Sequence, residues 1–469
     1  MKKLSKKEAE LKEKKRIKTL RRKSGNLSIS EGIFWSVRNS FGDYYLTPFA
    51  IAINSGNSLV AMMTAISGLV GPVSQIFSSK RMEKTPRKKL VTKAVLLESF
   101  IWIFFIAAGI LFYKNIILSV VPAIFISLFA IYTIITNFSV APWFSWMGDL
   151  IDDKNRGKWL SKRNLLIGFS TAILVIGSSF FLEYMKEKNL AIIGFGILFL
   201  LAFFARLKSW RTLKKEYEPK IQLKKIKEEK PFTFINFIKR APKTNFGKFA
   251  IFRLMFSLGV VVYSSLLTVY LLRELNLSYI YYMIIITSST VFSLVFVEIW
   301  GKISDRYGNY KILAITTMLI PVVPIIWILS DSAIYLIFVP GIIRGIAWSG
   351  FDIASNNFIY DNVRPEKRGR AVSFYNMMVG IGTFAGGVIS AILIKIIKDS
   401  AIHPIKIIFI ISSLMTMLIV YLWVSKITEA KVKPKKRQDL KKYFLRNLRP
   451  TISEEAHQIV HLKKYLIVK

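Results

Sequence analysis

Asp149–Asn164 reads DLIDDKNRGKWLSKRN, and Asp361–Asn376 reads DNVRPEKRGRAVSFYN. Aligned without a gap, Asp149 falls on Asp361, Arg156-Gly157-Lys158 on Arg368-Gly369-Arg370, and Asn164 on Asn376. Each copy is a basic, polar interruption between two long apolar runs. A polar connection that recurs at this distance marks a chain of two similar halves.

Outward from these loops the apolar runs are long enough to cross a bilayer. The first half offers Ser30–Ile53, Ser58–Phe77, Val91–Tyr113, Ile116–Trp146, Leu165–Met185 and Leu190–Ala205. The second offers Phe249–Leu272, Tyr279–Ile299, Ile312–Ser330, Ile334–Phe358, Ala371–Ile397 and Ile405–Val424. The expectation is an all-α membrane protein of 12 transmembrane helices, in two six-helix bundles related by a pseudo-two-fold axis. Residues 29–205 form one bundle and 249–424 the other, with a basic arm (1–28), a basic central loop (206–248) and a basic tail (425–469) around them. No run alternates as a barrel strand does.

The charge agrees. The chain carries 68 Lys and Arg against 28 Asp and Glu, a net charge of +40. Most of the basic residues fall in every second connection; only Arg38, Arg253 and Arg344 lie well inside spans, with Lys93, Lys395 and Lys406 at span ends. That bias places both termini and the central loop in the cytoplasm of a multi-pass cell-membrane protein. The basic tails then lie beside anionic lipid. Nucleic acid is excluded as a partner, because the charge sits between membrane spans and not on one folded polar surface. There is no cysteine, hence no disulfide and no thiolate site. His457 and His461 are four apart but lack acidic support, so no metal site is expected. The first apolar run follows a long charged arm and no cleavage signal, and reads as a retained span.

Ionisable groups inside spans are costly and mark function. Span one holds Arg38, Asn39 and Asp43. At 100° per residue Arg38 and Asp43 are on different faces and form no close pair, whereas Asn39 and Asp43 share one. Span seven carries Arg253, with Phe256 three residues on, as Phe41 follows Arg38. In span ten Arg344, Trp348, Asp352 and Asn356 recur every fourth residue on one face, next to Asn357. Span four offers Asn137, Trp143 and Trp146. Glu98 and Glu298, nearer the cytoplasmic ends of their spans, read as structural pairing groups. No nucleophile–base pair, phosphate loop or cofactor motif is present, so neither an enzyme nor a cofactor is expected. Gly380, Gly382, Gly386 and Gly387 read as helix-packing glycines.

Gly301–Lys311, GKISDRYGNYK, resembles the Gly-x-x-x-Asp-Arg-x-Gly-x-x-Lys signature of the major facilitator superfamily of secondary transporters. Six spans, a long loop and six more resemble its topology. Gly301 permits close approach of helices, Asp305 can pair or cap, Gly308 allows a tight turn, and Arg306 stays at the surface. The first-half equivalent, Ser79–Lys89 (SKRMEKTPRKK), keeps the charge signs, with Glu83 for Asp305, but not the glycines: Ser79 stands for Gly301 and Pro86 for Gly308.

The resemblance implies a cytoplasmic gate. In it Asp305 pairs with Arg368 or Arg370, Glu83 pairs with Arg156 or Lys158, and Asp149 and Asp361 head the two loops. It also implies that spans one, four, seven and ten line a central cavity, which would make Arg38, Asn39, Asp43, Asn137, Arg253, Arg344, Trp348, Asp352 and Asn356 cavity residues. Phe41-Gly42-Asp43, Pro142-Trp143, Asp149-Leu150, Asp152 and Arg156 echo the glycoside–cation symporters of that superfamily. The function so implied is secondary active transport of a small organic solute by alternating access, coupled to a proton or sodium ion, by a monomer. A uniporter, lipid flippase or non-transporting sensor of the same fold is the alternative.

Overall fold

The computed structural model describes residues 6–82, 84–151, 153–219, 233–363, 368–397 and 403–428. Every regular element among them is helical. In lipid no water is available to unpaired backbone groups, so each span must close its hydrogen bonds within itself. The chain forms two compact units, Met1–Glu229 and Lys230–Lys469.

In the first unit α1 (Lys6–Arg38) runs from the basic arm without a break into a π turn (Asn39–Asp43) and α2 (Tyr44–Ala52). Then come α3 (Asn57–Arg81), α4 (Arg87–Tyr113), α5 (Val121–Leu150), α6 (Asp153–Glu187) and α7 (Ala191–Lys215). The second unit opens with a short α8 (Phe234–Arg240), followed by α9 (Asn245–Ser264), α10 (Leu267–Val269) and another π turn (Tyr270–Glu274). It continues with α11 (Tyr279–Tyr307), α12 (Asn309–Leu319), α13 (Val323–Trp327), α14 (Ala333–Asn362), α15 (Arg368–Ile396) and α16 (Pro404–Trp423).

Among the described residues eleven helical stretches are long and apolar enough to cross a membrane, and they coincide with expected spans two to twelve. The first run, Ser30–Ile53, is helical but divided by its π turn. Equivalent helices pack in the same pairs in both units. In the first, α1 packs on α6 and α7, α3 on α5, and α4 on α5. In the second, α9 packs on α15 and α16, α11 on α14, and α12 on α14.

Several helix ends differ from the sequence reading, three of them with a clear cause or consequence. Span four begins at Val121 rather than Ile116, because Asn115 and Ile117 turn the chain with φ of 55° and 46°, and Pro122 then starts the helix. Span nine is broken by Pro321 and Pro324 into α12, a 3-10 turn and α13. Most consequential, α7 continues ten residues past Ala205. Arg206, expected at the start of a solvated loop, is therefore buried in the first unit.

Candidate functional site

The π turn decides the geometry of the first unit. Its hydrogen bond from Tyr44 N–H to the Asn39 carbonyl spans five residues rather than four. That extra residue brings positions five apart into register, so Arg38 Nη1 meets the Asp43 carboxylate. The expectation that the two would not pair rested on a regular α-helix and is corrected here. Gly42 makes the turn possible against its neighbour: a Cβ there would stand 2.2 Å from Trp102.

Around this pair five elements assemble a line of alternating charge. Arg163 on α6 donates to Glu31 of α1 at 3.0 Å. Glu31 also faces Arg206 of α7 at 3.5 Å and accepts from Ser209 at 2.8 Å. Arg206 donates to Glu98 of α4 at 2.8 Å. Glu98 in turn lies 3.1 Å from Arg38 Nε, an ion pair without hydrogen-bond geometry. Arg38 donates to Tyr132 on α5 at 2.9 Å, and the Tyr132 hydroxyl donates to Asp43. Three guanidiniums thus alternate with three carboxylates, and the sum is neutral. Buried charges persist only when paired and hydrogen-bonded in this way. All but one member are sealed: Arg38 is 1% exposed and Glu98 0%, whereas Asp43, at the end of the line, is 30% exposed.

Trp102, Phe105 and Phe199 pack ring against ring beside Tyr132 and fix its hydroxyl. Asn39 is half-buried one turn away. Asn137 accepts from Gln75 at 3.0 Å and ties α5 to α3. Trp146 is fully buried, donating to the Tyr217 carbonyl at 3.0 Å, so it belongs to the core.

The second unit has no such line among its described residues. Arg253 of α9 donates through Nε to Tyr375 of α15 at 2.9 Å. Its guanidinium lies 4.6 Å from the Phe351 ring, with Trp348 and Phe256 at 5.9 and 6.0 Å. These are cation–π distances. The four-residue spacing along α14 is kept: Arg344 and Trp348 are half-buried, Asp352 and Asn356 exposed. Glu298 pairs with Lys302 at 2.6 Å.

The loop residues divide. Glu83 lies outside the described residues, as do the side chains of Arg156, Asp305, Arg368 and Arg370, and with them the expected gate pairs. Gly308, at φ 91°, makes the tight turn between α11 and α12. Arg306 stacks against Tyr307 at 5.7 Å. Gly301 has open space where a Cβ would be, so close helix approach is not its role within this unit. Gly382 does have that role, since a Cβ would stand 2.1 Å from the Leu254 carbonyl oxygen.

A contact not foreseen repeats in both units. Arg87 donates to Asp149 at 2.6 Å, and Asn309 donates to Asp361 at 2.7 Å. Arg87 and Asn309 are the residues after the equivalent Pro86 and Gly308, and the two Asp head the duplicated loops. Tyr132, Glu31, Arg163 and Arg206 also escaped the sequence reading. The available signal was the charge count, three acids against three arginines near span ends.

The profile of the Major Facilitator Superfamily matches residues 249–462, the half whose signature loop keeps its glycines. No curated protein matches the sequence. Solved structures do. A nucleoside transporter, NupG, has 13% identity and a TM-score of 0.61 over 87% of this chain and 98% of its own. A bacterial homologue of the iron transporter ferroportin, in an inward-facing state, has 14% identity and a TM-score of 0.62 over 86% and 99%. The POT family transporter PepTSo has 10% identity and a TM-score of 0.61 over 86% and 98%.

Proposed function

We propose that the chain is a member of the Major Facilitator Superfamily, whose profile matches residues 249–462, and that it is a secondary active transporter of a small organic solute. In this reading it spans the cell membrane twelve times, with the divided run Ser30–Ile53 as the first span and both termini in the cytoplasm. It carries its solute by alternating access. The contacts Arg87–Asp149 and Asn309–Asp361 keep helix pairs rigid on the cytoplasmic side during that motion. Basic arm, loop and tail rest on anionic lipid.

Coupling is assigned to Asp43, and one observation carries the assignment. Asp43 is the accessible end of an otherwise sealed, neutral line of charge. A proton or cation arriving there competes with Arg38 and Tyr132 for the carboxylate. Released, Arg38 keeps only Glu98, which it shares with Arg206, so the line is left with one uncompensated positive charge. A ligand shifts a conformational equilibrium only by its differential interaction with the two states, and this re-pairing supplies one.

Proteoliposomes loaded with the purified chain test the reading. Solute should accumulate against its gradient under an imposed cation or proton gradient, and an ionophore should abolish the accumulation. Asp43→Asn should retain counterflow exchange and lose accumulation. If Asp43→Asn still concentrates solute, Asp43 is not the coupling group. Equilibration without accumulation in the unaltered protein identifies a uniporter instead.

A further inference from the structure

Arg253 and Asp352 are opposite charges on two different helices of the second unit, and neither is in an ion pair among the described residues. They are nonetheless neighbours: Arg253 lies over Phe351, the residue adjacent to Asp352, and Asp352 is within its electrostatic reach. In the first unit Arg38, by contrast, is neutralised by Asp43 and Glu98. Here the guanidinium is steadied from behind by Tyr375 and the aromatic rings, while its two terminal nitrogens hydrogen-bond to no group among the described residues. An arginine fork held so is preset to take a carboxylate through two parallel bonds. The carboxylate of Asp352 is exposed on the same helix face as Asn356. Charges within spans are retained where they meet water or a ligand.

From this juxtaposition we propose that the second unit binds a zwitterion of amino-acid type, its carboxylate on Arg253 and its ammonium on Asp352. A simple anion would leave Asp352 unmatched and opposed to it, and a simple cation would do the same at Arg253. Each would set a like charge of its own against a charge held within a span, so both are selected against. The proposal rests on the transporter reading, of which it names the substrate class.

The test is binding to the purified full chain in lipid nanodiscs, by calorimetry, with the standard amino acids whose side chains carry no charge. Each one that binds is compared with its N-acetyl form, which is an anion only, and its amide, which is a cation only. At least one amino acid should bind, with both derivatives weaker by tenfold or more. In Arg253→Gln the parent and its amide should bind equally; in Asp352→Asn the parent and its N-acetyl form should. A residue that serves only the fold would weaken all three ligands alike. Arg253→Lys, which keeps the charge but not the fork, should bind the parent about tenfold more weakly and guards against a misfolded Gln variant.

Equal binding of either derivative to the unaltered chain overturns the proposal. So does binding of no amino acid by a chain that accumulates another solute, in which case the transporter reading stands. Amino-acid binding with the predicted charge pattern but no flux in proteoliposomes overturns the transporter reading and leaves the zwitterion site.

Discussion

Arg38 and Arg253 sit in the first long helix of their units, each with a phenylalanine three residues on. The duplicated scaffold treats them in opposite ways. Arg38 is enclosed by carboxylates from the π turn and α4 and by the Tyr132 hydroxyl. Arg253 is enclosed by the rings of Phe351, Trp348 and Phe256 and touches one hydroxyl. Carboxylates neutralise a guanidinium and use up its donors. Rings steady it and leave the donors open. One architecture has therefore produced a charge-balanced network in one half and, among the described residues, a charge pair without an ion-pair partner in the other.

The difference has an energetic consequence. In the first unit Arg206 bridges two buried carboxylates, Glu31 and Glu98. Arg206→Met leaves both under-compensated and is expected to cost about 3–5 kcal/mol, the usual penalty for breaking one side of a buried pair. Arg253→Met strands no ion-paired partner. It loses cation–π contact and one hydrogen bond, about 0.5–2 kcal/mol. Thermal unfolding of the two variants in the same detergent measures the contrast. Equal losses would show that the two arginines are bound alike and remove the distinction.

Gly42 tests how tightly the first network is built. A methyl group there runs into the fully buried Trp102, which packs on Tyr132. Gly42→Ala is expected to cost about 1–3 kcal/mol by overpacking. It should also displace the π turn, so proton- or cation-driven accumulation should fall further than counterflow exchange. None of the second-unit glycines at 247, 259, 301, 341, 345, 350, 382 and 386 meets a ring that holds Arg253, so an equal effect on binding there would break the comparison from the other side.

The scaffold was legible because its causes are written along the chain. Apolar run length, alternating loop charge and the duplicated polar loops are all one-dimensional signals, and the helix pairs follow them. Gly308 was legible too, since a signature turn demands a positive φ. The ion network was not. Its decisive element is a π turn, whose extra residue leaves no mark in a pattern read at a fixed angular step. Arg206 was misplaced for a related reason: a basic residue at the end of an apolar run looks like a loop until a partner such as Glu98, on another helix, can be seen. Arg253, by contrast, was singled out correctly as an ionisable group within a span, but the rings that hold it are ordinary span residues in sequence.

Glu216 sharpens the account of the first unit, with the smallest effect. It caps the end of α7, is 1% exposed, and neither carboxylate oxygen has a hydrogen-bond partner. Burial pushes its carboxyl well above the ordinary 4.5, and the Glu31 carboxylate adds to the rise, while Arg163 and Lys88 oppose it. Between 4.5 and that raised value the folded chain binds a proton at Glu216 that the unfolded chain has released. Stability at this site is therefore present at low pH and falls as pH rises through the raised value. Glu216→Gln removes the ionisation and keeps the shape. It should stabilise the chain by about 1 kcal/mol at pH 8, the order expected when an unsatisfied buried charge is relieved. The gain should shrink as pH falls and vanish near the ordinary carboxylate range. A pH series of unfolding midpoints for both proteins measures this. If Glu216→Gln instead destabilises at alkaline pH, Glu216 is a working anion that Arg163 or Lys88 needs. The line of three acids and three arginines would then not be charge-balanced on its own.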